Sequence, residues 1–274
     1  MSAVLASVSA AADAIAINIG GIVGTVHTES PFFRQMLLRH YHDFISLPAK
    51  PSFELEVELL EFPDNSDLDA DLEVRFTGGC WHLRRGDFSV VWDPTSGRGK
   101  VRQTANPYSI DTVLRILHSL LLVGQRGFLL HAASAIRGGR AYVFTGLSGA
   151  GKTTISRLAP PHVTLLSDEV SYLRPLEGAF RAFGTPFSGE LRQAGKNCAA
   201  PVAAIYLLDK GPQNCVSPVT PAEALHALMR NILFFADSAN LAGSVFQIAC
   251  DFVMQVPVKR LTFVPDEHVW EMIG

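Results

Sequence analysis

The sequence predicts an α/β domain built around a phosphate-binding loop, preceded by a strand-rich α+β domain. Two observations carry this. The first is Gly146-Leu147-Ser148-Gly149-Ala150-Gly151-Lys152-Thr153, which fits the pattern G-x-x-x-x-G-K-[ST]. It lies between a short apolar, β-prone run, Ala141–Thr145, and a helical run, Thr154–Ala159, ended by Pro160-Pro161. The second is a change of texture at Asn106-Pro107. Before it stand short alternating strands split by glycines; after it helical periods and buried strands alternate. The predicted domains are therefore 1–105 and 106–274.

In the first domain, Ile15–Ile19 and Ile22–Val26 predict a hairpin across Gly20-Gly21. Pro31 to Asp43 reads as a helix. Phe53-Glu-Leu-Glu-Val-Glu-Leu alternates strictly, so it predicts a half-buried strand with its glutamates outward. Glu73–Phe76, Cys80–Leu83 and Phe88–Trp92 continue the pattern, split by Gly78-Gly79 and Gly86-Asp87. Pro63–Asp71 is an acidic loop. Its alternating aspartates lack the glycine and distal glutamate of an EF-hand, so it reads as solvated rather than calcium-binding.

In the second domain, Tyr108–Val123 carries apolar residues at helical spacing and ends at Gly124. Strands are predicted at 127–136, 141–145, 163–166, 170–173, 179–183, 202–208 and 257–264. Helices are predicted at Pro221–Phe235, with proline in its first turn, at 239–253, and at Glu267–Ile273.

Composition narrows the function classes. With 48% hydrophobic and 18% charged residues, the chain can bury a substantial core. A net charge of −3 offers no electrostatic case for nucleic acid or an anionic membrane. Cys80, Cys198, Cys215 and Cys250 are far apart, which predicts reduced, mostly packed thiols. The first residues lack a basic segment and carry Asp13, so no signal peptide is read there. A cytoplasmic protein is expected.

The loop chemistry is specific. Backbone N–H groups of 146–151 would cradle phosphates, Lys152 would reach the β- and γ-phosphates, and Thr153 would ligate Mg²⁺, with Thr154 completing the turn. Asp168-Glu169 follows a buried strand 15 residues after Thr153. One carboxylate there can hold Mg²⁺ opposite Thr153, and the other can take a proton from an attacking hydroxyl. Asp168 is the expected metal ligand, but either acid fits either role. The bland alternative is an ordinary acidic turn. Transporter- and switch-type NTPases place the corresponding aspartate much further along the chain.

Phe128-Leu-Leu-His131-Ala-Ala, then the loop with its strand, then Leu165-Leu-Ser-Asp168-Glu169, resembles the catalytic domain of the HPr kinase/phosphorylase family over about residues 108–235. It is most similar to the looser group of HPr-kinase-related proteins of bacterial gene clusters, and Gly184-Thr-Pro-Phe-Ser-Gly-Glu190 is similar to that group too. The resemblance implies a P-loop kinase fold related to phosphoenolpyruvate carboxykinase, with a mixed sheet, using ATP and Mg²⁺ to phosphorylate a serine hydroxyl. It implies that His131 matches an active-site histidine and Asp168-Glu169 the family's paired acids, the second being Glu here. The glycine-rich signature and basic segment of true HPr kinases are missing. The expected acceptor is thus a peptide, as in lasso-peptide kinases of the wider group, or a small hydroxyl metabolite, rather than HPr.

The expected catalytic set is Lys152, Asp168, Glu169 and His131, the last also readable as a core histidine. Glu190, Arg192 and Lys196 are candidates for substrate contact, or simply solvated charges. The first domain is expected to recognise substrate or partner, and a homo-oligomer is compatible with the sequence. Rival readings are a small-metabolite kinase of another P-loop family and a nucleotide-sensing protein without transfer activity.

Overall fold

The computed structural model describes residues 14–47, 49–62 and 71–274. The predicted acidic loop, but for Asp71, and Asp13 lie outside them. The chain divides into two compact units. One runs to Leu117 and includes Phe235–Asp237; the other comprises His118–Phe234 and Ser238–Gly274. The division thus falls inside a helix, twelve residues beyond the change of texture at 105.

Among the described residues, the first unit holds a seven-stranded mixed sheet. Its strands are β1 (Ala14–Ile19), β2 (Ile22–Thr28), β3 (Phe53–Leu59), β4 (Glu73–Thr77), β5 (Cys80–Arg85), β6 (Phe88–Asp93) and β7 (Arg98–Gln103). Their order is β1-β2-β3-β7-β6-β5-β4, with β3 parallel to both neighbours. One face is apolar: Ile15, Val26, Leu55, Val57, Leu83, Val90 and Val101 are buried. Helix α1 (Pro31–His40) buries Phe33 and Leu37 and is capped by Ser30, whose Oγ accepts from Phe33 N at 3.2 Å. It stops short of the predicted Asp43, and a separate 3₁₀ turn, His42–Phe44, follows.

Strand β7 has no counterpart among the predicted elements. Val101 is the one strongly apolar side chain in Arg98-Gly-Lys-Val-Arg-Gln103, so no alternation is visible. Its partner supplies the pattern. Glu54, Glu56 and Glu58 of β3 stand opposite Arg98, Lys100 and Arg102. Ion pairs close at 3.6 Å for Lys100–Glu56 and 3.5 Å for Arg102–Glu58. These rows are exposed, so each pair contributes only a fraction of a kcal/mol, roughly 0.2–1. A concavity of about 860 Å³ lies over these rows.

The second unit is α/β. Its strands are β8 (Phe128–Arg137), β9 (Arg140–Thr145), β10 (Thr164–Ser167), β11 (Val170–Leu176), β12 (Ala179–Phe183), β13 (Ala199–Lys210), β14 (Cys215–Pro218), β15 (Ile232–Leu233) and β16 (Val258–Phe263). Helices α2 (Pro107–Gly124), which begins in the first unit, α3 (Lys152–Arg157), α4 (Pro221–Asn231) and α5 (Ala239–Gln255) accompany them. The sheet is mixed. β9, β13 and β16 run parallel, and β8 is antiparallel to β9. Its apolar clusters lie on Leu130, Val143, Ile205, Leu228 and Phe252, and on Phe144, Ile155, Tyr206, Phe263 and Trp270.

Differences from the predicted elements have tertiary causes. Helix α4 ends at Asn231 rather than Phe235, because Ile232 and Leu233 pair with Leu130 and Leu129 of β8. Strand β14 was not visible in its sequence and exists by pairing with β16. Glu267–Met272 is a 3₁₀ turn rather than an α-helix. The cysteines are not packed as expected: all four are free, Cys198 and Cys215 are exposed, and Cys80 and Cys250 are half-buried. No helix among the described residues is long and apolar enough to cross a membrane.

His118 of α2 is fully buried, its Nδ1 3.4 Å from the Tyr172 hydroxyl. Burial penalises the imidazolium and pushes the His118 pKa down to about 3. In the unfolded chain the ring titrates near 6.5. Between those values the unfolded state binds a proton that the folded state does not, so stability falls as pH drops from about 6.5 toward 3. The expected slope from this one group is up to about 1.4 kcal/mol per pH unit. Urea midpoints between pH 7.5 and 4 should therefore fall less steeply for His118→Phe than for the native chain. Parallel acid limbs would refute the assignment.

Candidate functional site

Strand β8 brings the candidate residues to one level of the sheet. On one side Ala132 pairs with Thr145, the residue before Gly146. On the other side His131 pairs with Val170, the residue after Glu169. Neighbouring strands lie about 4.8 Å apart, so the glycine-rich loop and the acids are set two strand spacings apart, with His131 between them.

The acids occupy a break in an otherwise continuous strand. Ser167 pairs with Ser134 and Val170 with His131, in one antiparallel register. Between them Asp168 and Glu169 interrupt the ladder, just past a bulge at Leu165–Ser167. Such irregularities redirect side chains that a regular strand would send alternately to its two faces. Ser167 Oγ holds the turn by accepting from Glu169 N at 3.2 Å and Val170 N at 2.9 Å. Thr185 Oγ1 donates to Val170 O at 2.9 Å, and Thr185 N to the Leu166 carbonyl at 3.0 Å. The segment 184–190 is thereby laid across the turn.

The two carboxylates differ. Asp168 is buried, 4% exposed, and both oxygens accept backbone N–H groups: Oδ1 from Gly189 at 2.9 Å, Oδ2 from Leu191 at 3.0 Å. Glu169 is one-third exposed, its Oε1 3.6 Å from His131 Nδ1. That separation is too long for a hydrogen bond. His131 Nδ1 instead lies 3.2 Å from the Glu169 carbonyl, which can only accept, so Nδ1 donates there and in the neutral ring Nε2 is the basic nitrogen. His131 is half-buried, 32% exposed, and is not a core histidine. Gly189 permits this packing. A Cβ there would stand 2.7 Å from Glu169 Oε2 and 3.1 Å from Asp168 Oδ2.

The loop follows β9 at the carboxyl end of the parallel strands. Gly151 has φ +111, and a side chain there would meet Phe263 Cζ at 2.5 Å, so glycine is required by both conformation and space. Trp270 Nε1 donates to the Ile155 carbonyl at 3.0 Å, tying the C-terminal turn to α3. Lys152 is buried, 8% exposed, and Nζ donates to the Gly146 and Leu147 carbonyls at 3.1 and 3.4 Å. Burial lowers its pKa, and the charges of Glu169 and Glu190 partly offset this. Thr153 and Thr154 are half-buried at the start of α3. Ser148 is exposed beside Gly149, whose φ is +76.

Of the substrate candidates, Glu190 is brought to the loop, 3.8 Å from Arg157 of α3. Arg192 and Lys196 are exposed, and Lys196 N bonds the Leu165 carbonyl. Among the described residues no group of three or more His, Cys, Asp or Glu converges to hold a metal ion. A cleft of about 560 Å³ flanks the loop and was not visible in the sequence. Leu147, Lys210, His226, Arg230 and Arg260 stand on its walls.

The geometry assigns separate roles to the acids in stability. Asp168→Ala leaves two amide donors without their acceptor and should cost about 1–3 kcal/mol. Asp168→Asn should cost less, and Glu169→Gln should stay within about 0.5 kcal/mol. Denaturant melts of the three variants check this; equal losses for Asp168→Ala and Glu169→Gln would contradict it.

No curated protein matches the chain. The family described as "SynChlorMet cassette protein ScmC" matches residues 106–274, which contain β8, the loop, the acids and the flanking cleft. This match spans more than half of the chain, which therefore belongs to the ScmC family of SynChlorMet cassette proteins.

Proposed function

We propose that the chain is a P-loop kinase of the HPr-kinase-related kind, transferring the γ-phosphoryl group of ATP to a hydroxyl on a peptide or small metabolite. The supporting observation is the level set by β8. It holds a G-x-x-x-x-G-K-T loop, a histidine and two unequal carboxylates at adjacent positions of one sheet. Phosphoryl transfer asks a protein mainly for positioning and charge neutralisation, and these groups supply both.

Lys152 is a buried cation within the field of Glu169 and Glu190. Exchanging its bonds to the Gly146 and Leu147 carbonyls for phosphate oxygens would bring its charge onto the transferred group. Glu169 is the accessible carboxylate, so it is the group suited to accept the proton of an attacking hydroxyl. His131, beside it with Nε2 basic, is suited to orient that hydroxyl or relay its proton. Asp168 and Thr153 offer hard oxygen donors of the kind Mg²⁺ uses together with substrate phosphates. Bound Mg²⁺ would neutralise phosphate charge. Since both Asp168 oxygens already accept backbone N–H groups, Asp168 also fixes the 189–191 segment against the acids.

Lys152→Ala should abolish transfer and weaken ATP binding, and Glu169→Gln should cut the rate by about 10²–10⁴ with ATP binding kept. The measurement is transfer of label from γ-labelled ATP with Mg²⁺ to panels of hydroxyl-bearing peptides, small hydroxyl metabolites and HPr. Label on a peptide or metabolite is expected. Efficient labelling of the HPr serine would overturn the substrate assignment but keep the chemistry. ATP binding with every acceptor unlabelled would instead indicate a nucleotide sensor.

A further inference from the structure

The cleft beside the loop has no role in the chemistry described so far. It is bounded by the loop backbone at 146–150, by the end of β13 and by one face of α4. Glu223, Ala227 and Arg230, spaced i, i+4 and i+7, form that face, with His226 beside them. Arg260 is held by Asp209 at 3.6 Å and Glu223 at 4.0 Å. Arg230 has no ion pair among the described residues. Leu147, at the loop, is a large apolar side chain left 58% exposed.

The sheet order fixes which side of the loop this is. β9 has β8 on one side and β13 on the other. The acids lie across β8; the cleft lies across β13. A triphosphate held by the loop with its reacting end toward Lys152 and Glu169 has its other end on the β13 flank. The crevice beyond the carboxyl ends of parallel strands is also where open α/β sheets take their ligands. The lining chemistry agrees. Leu147 supplies an apolar surface, while His226 and Arg230 supply planar groups that stack on a flat ring. The volume, about 560 Å³, is that of a small-ligand pocket.

We infer that this cleft is the nucleoside subsite, taking the base and ribose of a purine nucleotide between Leu147 and the His226–Arg230 face of α4; the inference rests on the kinase reading. Asn231, the buried polar side chain on its wall, spends its Nδ2 on the Ala227 carbonyl at 2.8 Å, so the apolar and planar groups recognise a flat ring rather than one base.

The test is photolabelling of the native chain with 8-azido-ATP and Mg²⁺, with label mapped by peptide sequencing, alongside binding of ATP and of inorganic tripolyphosphate. Label is expected within 207–210 or 223–231, displaced by ATP. Arg230→Ala should weaken ATP binding about tenfold while leaving tripolyphosphate binding unchanged. Label in 184–196 or 128–131, with tripolyphosphate still bound, would overturn the subsite and leave the phosphate loop standing. Equal weakening of both ligands by Arg230→Ala would assign Arg230 to the phosphates and overturn it too. Failure of the native chain to bind either ligand would overturn the kinase reading itself.

Discussion

The candidate site depends on one ten-residue strand having two neighbours along each edge. β8 is too long for any single partner. Its first half pairs with β11 and β15, its second half with β10 and β9. The crossover between those partners falls at His131–Ala132. There the ladder to β10–β11 is broken by the acids, and β9 ends in the glycine-rich loop. Backbone hydrogen bonding in this buried sheet leaves little freedom of register, because a one-residue slip would send every side chain of β8 to the opposite face. Leu130 and Ala132 would then trade faces with the equally buried Leu129, Ala133 and Ala135, and His131 would be driven into the cluster they leave. The register that buries the apolar residues is therefore the same register that aligns the polar ones.

Charge inside this frame is placed at a cost that the surroundings offset. Lys152 and Asp168 are both nearly inaccessible, and neither is solvated in the usual way. Two carbonyls of its own loop satisfy Lys152, and two amides of the 189–191 turn satisfy Asp168. Glu169 and Glu190 add favourable field at Lys152. The arrangement leaves Glu169 as the acid with room to change partners. Two carboxylates adjacent in sequence thus acquire different environments: Asp168 is buried and held by backbone amides, and Glu169 is one-third exposed.

The first unit is built on a different balance. Its sheet is apolar on one side and lined on the other by matched acidic and basic rows from β3 and β7. The exposed pairs add little stability, but they favour this register, since a one-residue shift would set the glutamates opposite Gly99, Val101 and Gln103 and lose every pair. α1 and its C-cap contribute His40 and Tyr41, which share the Asp111 carboxylate at 3.0 and 2.5 Å.

The sequence alone determined the loop, the acids and most strands of both halves, because each carries its signal locally. Glycines and Lys-Thr in fixed spacing, strict Glu alternation in 53–59 and proline-bounded helices all express short-range physics. Tertiary structure decided the rest. β7 and β14 are nearly patternless and exist because neighbours offer unpaired backbone. Helix α4 yields its predicted last turn to a short ladder with β8. Which acid is buried depended on whether Gly189 and Leu191 would present their amides to Asp168, some twenty residues along the chain. The cleft is likewise composed of residues from four separated segments. Local propensity cannot encode such contacts, because hydrogen bonds and burial between distant segments are settled only when the sheet order and register are set.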